Sequence, residues 1–255
     1  MDFSRPRSRG SRMNTLDNLS TKLFADGADR AEMLRLHADP RIHGFTTNPT
    51  LMRKARVADY HRFARDILKV ISDRPISFEV FSDDFDAMFQ QALEFSRWGE
   101  NVYVKIPVMN TRGESTAGLV RDLAERGVKV NVTAVMTLQQ VCEMTGALAG
   151  GPAAYISVFA GRIADSGRDP VPLMAAAVAM IGVAANIELI WASSRELLNV
   201  FQADAVGCHV ITVTKDILDK LNLVGKDLRE FSLDTVKMFY RDAQAAGYAW
   251  PQRAA

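Results

Sequence analysis

The sequence predicts an α/β fold, a (β/α)8 TIM barrel with an extra C-terminal helix, and three observations predict it. Short apolar runs with strand character alternate with longer amphipathic stretches eight times along the chain. No linker of low complexity interrupts that alternation, and 255 residues is a length that such barrels occupy as a single unit. The glycine-rich first turn that often marks a doubly wound open sheet is missing, since Gly161 and Gly167 stand alone.

Taken in order, the strands are expected at Lys22–Asp26, Gly44–Thr47, Ile76–Phe81, Asn101–Ile106, Lys129–Thr133, Ala154–Phe159, Ile187–Ala192 and Cys208–Val213. A helical pattern follows each. Pro49 suits a first helical turn, Thr137 precedes an apolar-periodic run, and Asp169-Pro170 suits a cap followed by the first helical residue. Thr214 opens the helix after the last strand, and Phe231–Ala246 reads as the additional C-terminal helix with its own apolar face. The apolar stretch Leu173–Trp191 is broken by Gly182 and Asn186 and carries Glu188. It falls short of the ~20 uninterrupted apolar residues a bilayer needs and reads as a helix followed by a buried strand.

Ahead of these elements, Met1–Asn14 holds Arg5, Arg7, Arg9 and Arg12 among serines, with no apolar stretch. A secretory signal is therefore not expected; the Arg/Ser bias would suit a transit peptide but no amphipathic face is visible, and a disordered tail or a mis-assigned start ahead of Met13 is the expectation. The domain plan is a flexible tail over residues 1–20 and one barrel domain over residues 21–255 that includes the C-terminal helix. A net charge of +1 gives no bulk field for a nucleic-acid or membrane partner. Cys142 and Cys208 show neither metal-ligand nor disulfide spacing, so the expected compartment is the cytoplasm.

Parallel barrel strands are covered on both faces and should be apolar throughout. Several here carry polar residues late in the strand and on one parity only. Phe78 and Val80 oppose Ser77 and Glu79; Val102, Val104 and Ile106 oppose Tyr103 and Lys105; Val130 and Val132 oppose Asn131 and Thr133. Leu23 and Ala25 likewise oppose Phe24 and Asp26, Ile156 and Val158 oppose Ser157 and Phe159, and Ile190 and Ala192 oppose Trp191 and Ser193. The polar parity is expected to point into the barrel and converge on its C-terminal mouth, where barrel enzymes hold their chemistry. That set is Asp26, Glu79, Lys105, Asn131, Thr133, Ser157 and Ser193.

A lysine amine is almost wholly protonated at neutral pH, but desolvation in a barrel mouth disfavours the charge and yields a usable nucleophile. A neutral amine converts a ketone to an iminium, an electron sink that eases cleavage of the adjacent C–C bond. Glu79 and Asp26 are the candidate acid/base groups, and Thr133 can orient a water between amine and carboxylate. Arg162 and Arg195 follow the sixth and seventh strands closely, and paired guanidinium groups suit a phosphate dianion. His209 has no role beyond that of a satisfied core or rim histidine.

The segments that carry these residues resemble those of the transaldolase family. They are Phe45-Thr46-Thr47-Asn48-Pro49-Thr50, Ser77-Phe78-Glu79-Val80, Val102-Tyr103-Val104-Lys105-Ile106-Pro107, Asn131-Val132-Thr133, Ser157-Val158-Phe159-Ala160-Gly161-Arg162 and Ala192-Ser193-Ser194-Arg195. The resemblance runs from about Leu23 to the end of the chain. It implies a Schiff-base lysine on the fourth strand, Lys105, with Glu79 and Thr133 holding the proton-transferring water. It implies that Asp26 takes the C4 hydroxyl proton as the C3–C4 bond breaks. Asn48, Asn131 and Ser157 would bind the dihydroxyacetone portion, and Arg162, Ser193 and Arg195 the phosphate. Neither metal nor cofactor is implied, because the iminium does the electrophilic work.

Within that resemblance, a metal-independent transferase (EC 2.2.1.2 type) of carbohydrate metabolism, the pentose phosphate pathway being the family default, moves dihydroxyacetone between sugar phosphates. A related branch of fructose-6-phosphate aldolases releases free dihydroxyacetone. It is similar in compactness but carries glutamine and tyrosine where this chain has Glu79 and Phe159. A phenol could protonate the bound carbanion and Phe159 cannot, which favours transfer over cleavage. The short length and Ser194 leave a specialised heptose or modified sugar phosphate open. A non-catalytic barrel should have lost Lys105 or Glu79. The C-terminal helix, with Phe239, Tyr248 and Trp250, is expected to cover the barrel mouth or seal an interface in a homo-oligomer.

Overall fold

A computed structural model describes residues 16–182 and 184–248. Residues 1–15, which include most of the expected tail, and Trp250 lie outside the described residues. The chain divides into two compact units: Leu19–Lys220, and a second that contains the C-terminal helix.

The first unit is a closed barrel of eight parallel strands, each hydrogen-bonded to the next and the eighth to the first. They are β1 Lys22–Asp26, β2 Ile42–Thr46, β3 Ile76–Glu79, β4 Val102–Pro107, β5 Val130–Val135, β6 Ala154–Val158, β7 Ile187–Trp191 and β8 Val210–Val213. Every expected strand exists, with ends displaced by a residue or two. Helices connect them: α1 Arg30–His37, α2 Pro49–Lys54 and α3 Tyr60–Leu68, α4 Phe85–Phe95, α5 Ala117–Glu125, α6 Leu138–Leu148, α7 Ala160–Asp165 and α8 Val171–Ile181, and α9 Leu198–Ala205. α10 Lys215–Leu218 follows β8.

The helix starts have local causes. Asp29, Asn48, Asp59 and Asp84 accept a hydrogen bond from the backbone N–H three residues on. Thr137 and Gln140 form a reciprocal capping box. The Asp169-Pro170 expectation is off by one residue. Pro170 is itself the cap of α8, and Asp169 reaches forward to the Val171 N–H. Just ahead of β1, the Ser20 and Thr21 N–H groups donate to the Asp204 carboxylate.

Outward strand residues such as Val104, Val132, Ile156 and Leu189 are fully buried under the helices. Inside the barrel an apolar plug of Phe24, Tyr155, Ile190, Ala192 and Val210 fills the lower layers, with Tyr103 and Phe159 against it. Gly44 belongs to this plug by necessity, since a β-carbon there would stand 2.6 Å from the Phe24 ring. The plug also corrects one expectation. On β7 it is Ile190 and Ala192 that face inward, not Trp191 and Ser193. Both parities of that strand carry bulky apolar residues, and its one polar residue, Glu188, lies on the parity of Ile190 and near the start of the strand, while Ser193 comes after the strand has ended.

In the second unit α11 spans Leu228–Ala245, starting three residues earlier than expected because Asp227 caps the Arg229 and Glu230 N–H groups. None of its residues is buried. No helix among the described residues is long and apolar enough to cross a membrane.

Candidate active site

The register of the sheet sets the centre of the site. Glu79 on β3 and Asn131 on β5 are the direct neighbours of Lys105 on β4. The three inward side chains therefore stand side by side across the sheet, separated by the interstrand spacing of about 4.8 Å. Lys105 retains only 4% of its exposure. Its Nζ lies 3.1 Å from Glu79 Oε2 and donates to the Thr47 carbonyl at 2.9 Å. Taking an ammonium and a carboxylate out of water is expensive, and proximity and the additional carbonyl acceptor offset part of that cost.

Above the apolar plug a cavity of about 380 Å³ opens at the C-terminal ends of the strands. Of the residues expected in the site, Asp26, Asn48, Glu79, Lys105, Thr133, Ser157, Phe159, Arg162 and Ser193 line it. Asn131 does not: fully buried, it receives the Ser157 hydroxyl at 2.7 Å and donates to Ser77 at 3.0 Å. It braces three strands beneath the cavity floor. Arg195 is also absent from the lining. Its guanidinium meets Asp165 in a two-point ion pair at 2.9 and 2.6 Å, and its remaining nitrogen donates to the Ser193 carbonyl and hydroxyl. Among the described residues, Arg162 is the lining arginine, and its guanidinium has no hydrogen-bond partner among them.

Several groups here are set for proton chemistry. Burial raises the Asp26 carboxyl above the ordinary carboxylate range, and the positive charge of Lys105 and the Thr46 hydroxyl offset this only in part. Thr46 Oγ1 donates to Asp26 at 2.7 Å and is itself 2.6 Å from Thr212 Oγ1. The Thr133 hydroxyl is buried with no hydrogen-bond partner among the described residues, unusual for a core polar group. Asn48 spends its side-chain oxygen on capping α2, which leaves its amide nitrogen for the cavity.

Two lining residues, Ala134 and Ser193, adopt left-handed backbone angles, with φ of 60° and 61°. Ala134 sits in a bulge where the β5–β6 register shifts between Val132 and Val135. Ser193 reaches the cavity from the loop after β7, by its backbone turn and not by strand parity. Sequence reasoning missed Thr46, Thr212 and Ala134. Thr46 lies inside a segment already singled out, and Thr212 was legible as the polar residue of β8, on the parity of Val210; nothing local announces the bulge at Ala134.

Comparison with known proteins agrees with this architecture. The model of the transaldolase/fructose-6-phosphate aldolase family matches residues 23–249, so the chain belongs to that family. A "Probable transaldolase" of Methanococcus maripaludis is 33% identical over 201 residues, 78% of this chain and 89% of that one. A protein of the same description from a Thermoanaerobacter species is 32% identical over 223 residues, 87% of this chain and 98% of that one. A crystal structure from Burkholderia cenocepacia J2315, described as that of a lyase or mutase, superposes with a TM-score of 0.55. It covers 92% of this chain and 90% of that one at 14% identity, and it speaks to the fold alone.

Proposed function

We propose that the protein transfers a dihydroxyacetone unit between sugar phosphates through a Schiff base on Lys105. The observation that carries this reading is a buried lysine amine held by Glu79 in a barrel-mouth cavity that Asp26 shares. Membership of the family and the description of its relatives support it.

In this reading the neutral Nζ of Lys105 attacks the ketose C2. The carbinolamine then loses water to become an iminium, with Glu79 and the Thr133 hydroxyl relaying the protons through a water. Asp26 accepts the C4 hydroxyl proton while the C3–C4 bonding pair flows into the iminium, forming an enamine and releasing an aldehyde. Its raised proton affinity suits a group that must later return that proton. The enamine attacks the acceptor aldehyde, the same steps run backwards, and water frees the lysine. Asn48 and Ser157 hold the dihydroxyacetone hydroxyls, and Asn131 acts from below by fixing Ser157. Arg162 and Ser193 receive the phosphate, while Arg195 fixes Ser193. Phe159 offers the enamine no proton, which leaves it waiting for an aldehyde.

Borohydride trapping with fructose 6-phosphate, read by intact mass and peptide mapping, tests the proposal. The expected result is a reduced dihydroxyacetone adduct on Lys105 that is lost when erythrose 4-phosphate is supplied. Release of free dihydroxyacetone without an acceptor would move the reading to a lyase. An unlabelled Lys105 with every ketose phosphate would sink it.

A further inference from the structure

The β2–β3 ladder stops one rung early. Thr47 N–H donates to the Ser77 carbonyl, and the evenly spaced bonds of a parallel pair would next run from the Glu79 N–H to the Thr47 carbonyl. That bond is not made. The Glu79 N–H instead donates to the hydroxyl of Tyr60, the first residue of α3, at 3.0 Å. The same hydroxyl donates back to the Glu79 carbonyl, also at 3.0 Å. The Thr47 carbonyl, released from the ladder, is the one that accepts from Lys105 Nζ at 2.9 Å.

We propose that Tyr60 is a positioning residue for the Lys105–Glu79 pair. Its phenol substitutes for the missing rung, fixes the backbone from which the Glu79 carboxylate projects, and frees the Thr47 carbonyl to hold the lysine amine. The inference rests on the Schiff-base reading given above. Tyr60 does not line the cavity, so it acts through Glu79 and Thr47 and not by touching substrate.

The ring is built to keep its hydroxyl in place. It stacks on Phe95 at 5.6 Å between centroids and meets Phe78, Phe81 and Trp98 at 6.2, 5.7 and 6.1 Å. Burial pushes the phenol well above its ordinary pKa, so it remains a neutral group able to donate and accept at once. Loss of the hydroxyl invites the rung to close, drawing the Thr47 carbonyl away from Lys105 and shifting Glu79.

The test compares wild type, Tyr60→Phe and Trp98→Phe as full-length proteins, by steady-state kinetics and by the rate of borohydride trapping. Y60F keeps the ring and loses only the hydroxyl; W98F loosens the same aromatic cluster without touching Glu79. In Y60F, kcat and the trapping rate should fall about 10–100-fold while KM stays within about threefold. W98F should melt earlier yet trap at the wild-type rate. Should Y60F be incompletely folded, all three are compared in concentrated sucrose, which favours the compact state. A Y60F rate equal to wild type, or an equal loss in W98F, overturns the role of Tyr60. Wild type that fails to trap removes the Schiff-base reading itself, and the role of Tyr60 with it.

Discussion

Gly161→Ala is expected to damage the phosphate end of the site and the fold together. Gly161 is the second residue of α7, and its N–H approaches the Ala192 carbonyl at 3.4 Å. A β-carbon there would stand 1.6 Å from the Ser193 carbonyl oxygen and 3.2 Å from the guanidinium carbon of Arg195. Ordinary contact begins at 3.4 Å, so the Ser193 backbone would have to retreat by about 1.8 Å. A flexible side chain could swing aside, but this is main chain, pinned in a left-handed turn and bonded through Arg195 to Asp165. Overpacking commonly costs ~1–3 kcal/mol, and a backbone clash of this depth belongs at the top of that range. Ser193 would leave its place in the lining, so KM for a phosphorylated ketose should rise at least about tenfold, or about 1.4 kcal/mol. Urea unfolding and steady-state kinetics on G161A measure the two effects. An unchanged unfolding midpoint together with an unchanged KM would refute the close-approach argument.

Asp26→Asn should trade activity for stability. Burial raises the Asp26 carboxyl, so the folded chain holds this proton more tightly than the unfolded chain, and the group's contribution to stability declines as pH rises through the folded pKa. Asn cannot ionise yet keeps an oxygen for the Thr46 hydroxyl. D26N should therefore melt higher than wild type at neutral pH, with the advantage fading toward the unfolded carboxyl value of ~3.9. Turnover should drop about 10²–10⁴-fold; a D26N Tm below wild type at neutral pH would contradict the sign. At Ala134, whose left-handed φ costs a residue with a β-carbon ~1–2 kcal/mol, glycine should be tolerated or slightly stabilising, whereas β-branched valine should destabilise. Thermal melts of A134G and A134V check this, and a valine variant more stable than the glycine one would count against the strained bulge.

Much of the site was legible because barrel strands announce themselves by a period of two. On β3, β4, β5 and β6 one parity is wholly apolar and the other holds Glu79, Lys105, Asn131, Thr133 and Ser157, so alternation alone puts these side chains inside. It could not assign depth. Asn131 and Ser157 both point inward, yet Asn131 lies beneath the floor and Ser157 in the lining. Strand stagger decides that, and stagger belongs to the closed sheet.

The arginines show the same limit. Two guanidinium groups after successive strands look alike in sequence. Only the folded chain brings Asp165, at the end of α7, against Arg195 and leaves Arg162 facing the cavity. Thus the sequence by itself determined the order of strands and helices and the inward parity of β3 through β6. These depend on local alternation. Tertiary structure alone decided the inward face of β7, the left-handed turns that carry Ala134 and Ser193, and the exchange of a ladder rung for the Tyr60 hydroxyl. Each of these joins residues from different elements, and its energy exists only after the barrel has closed.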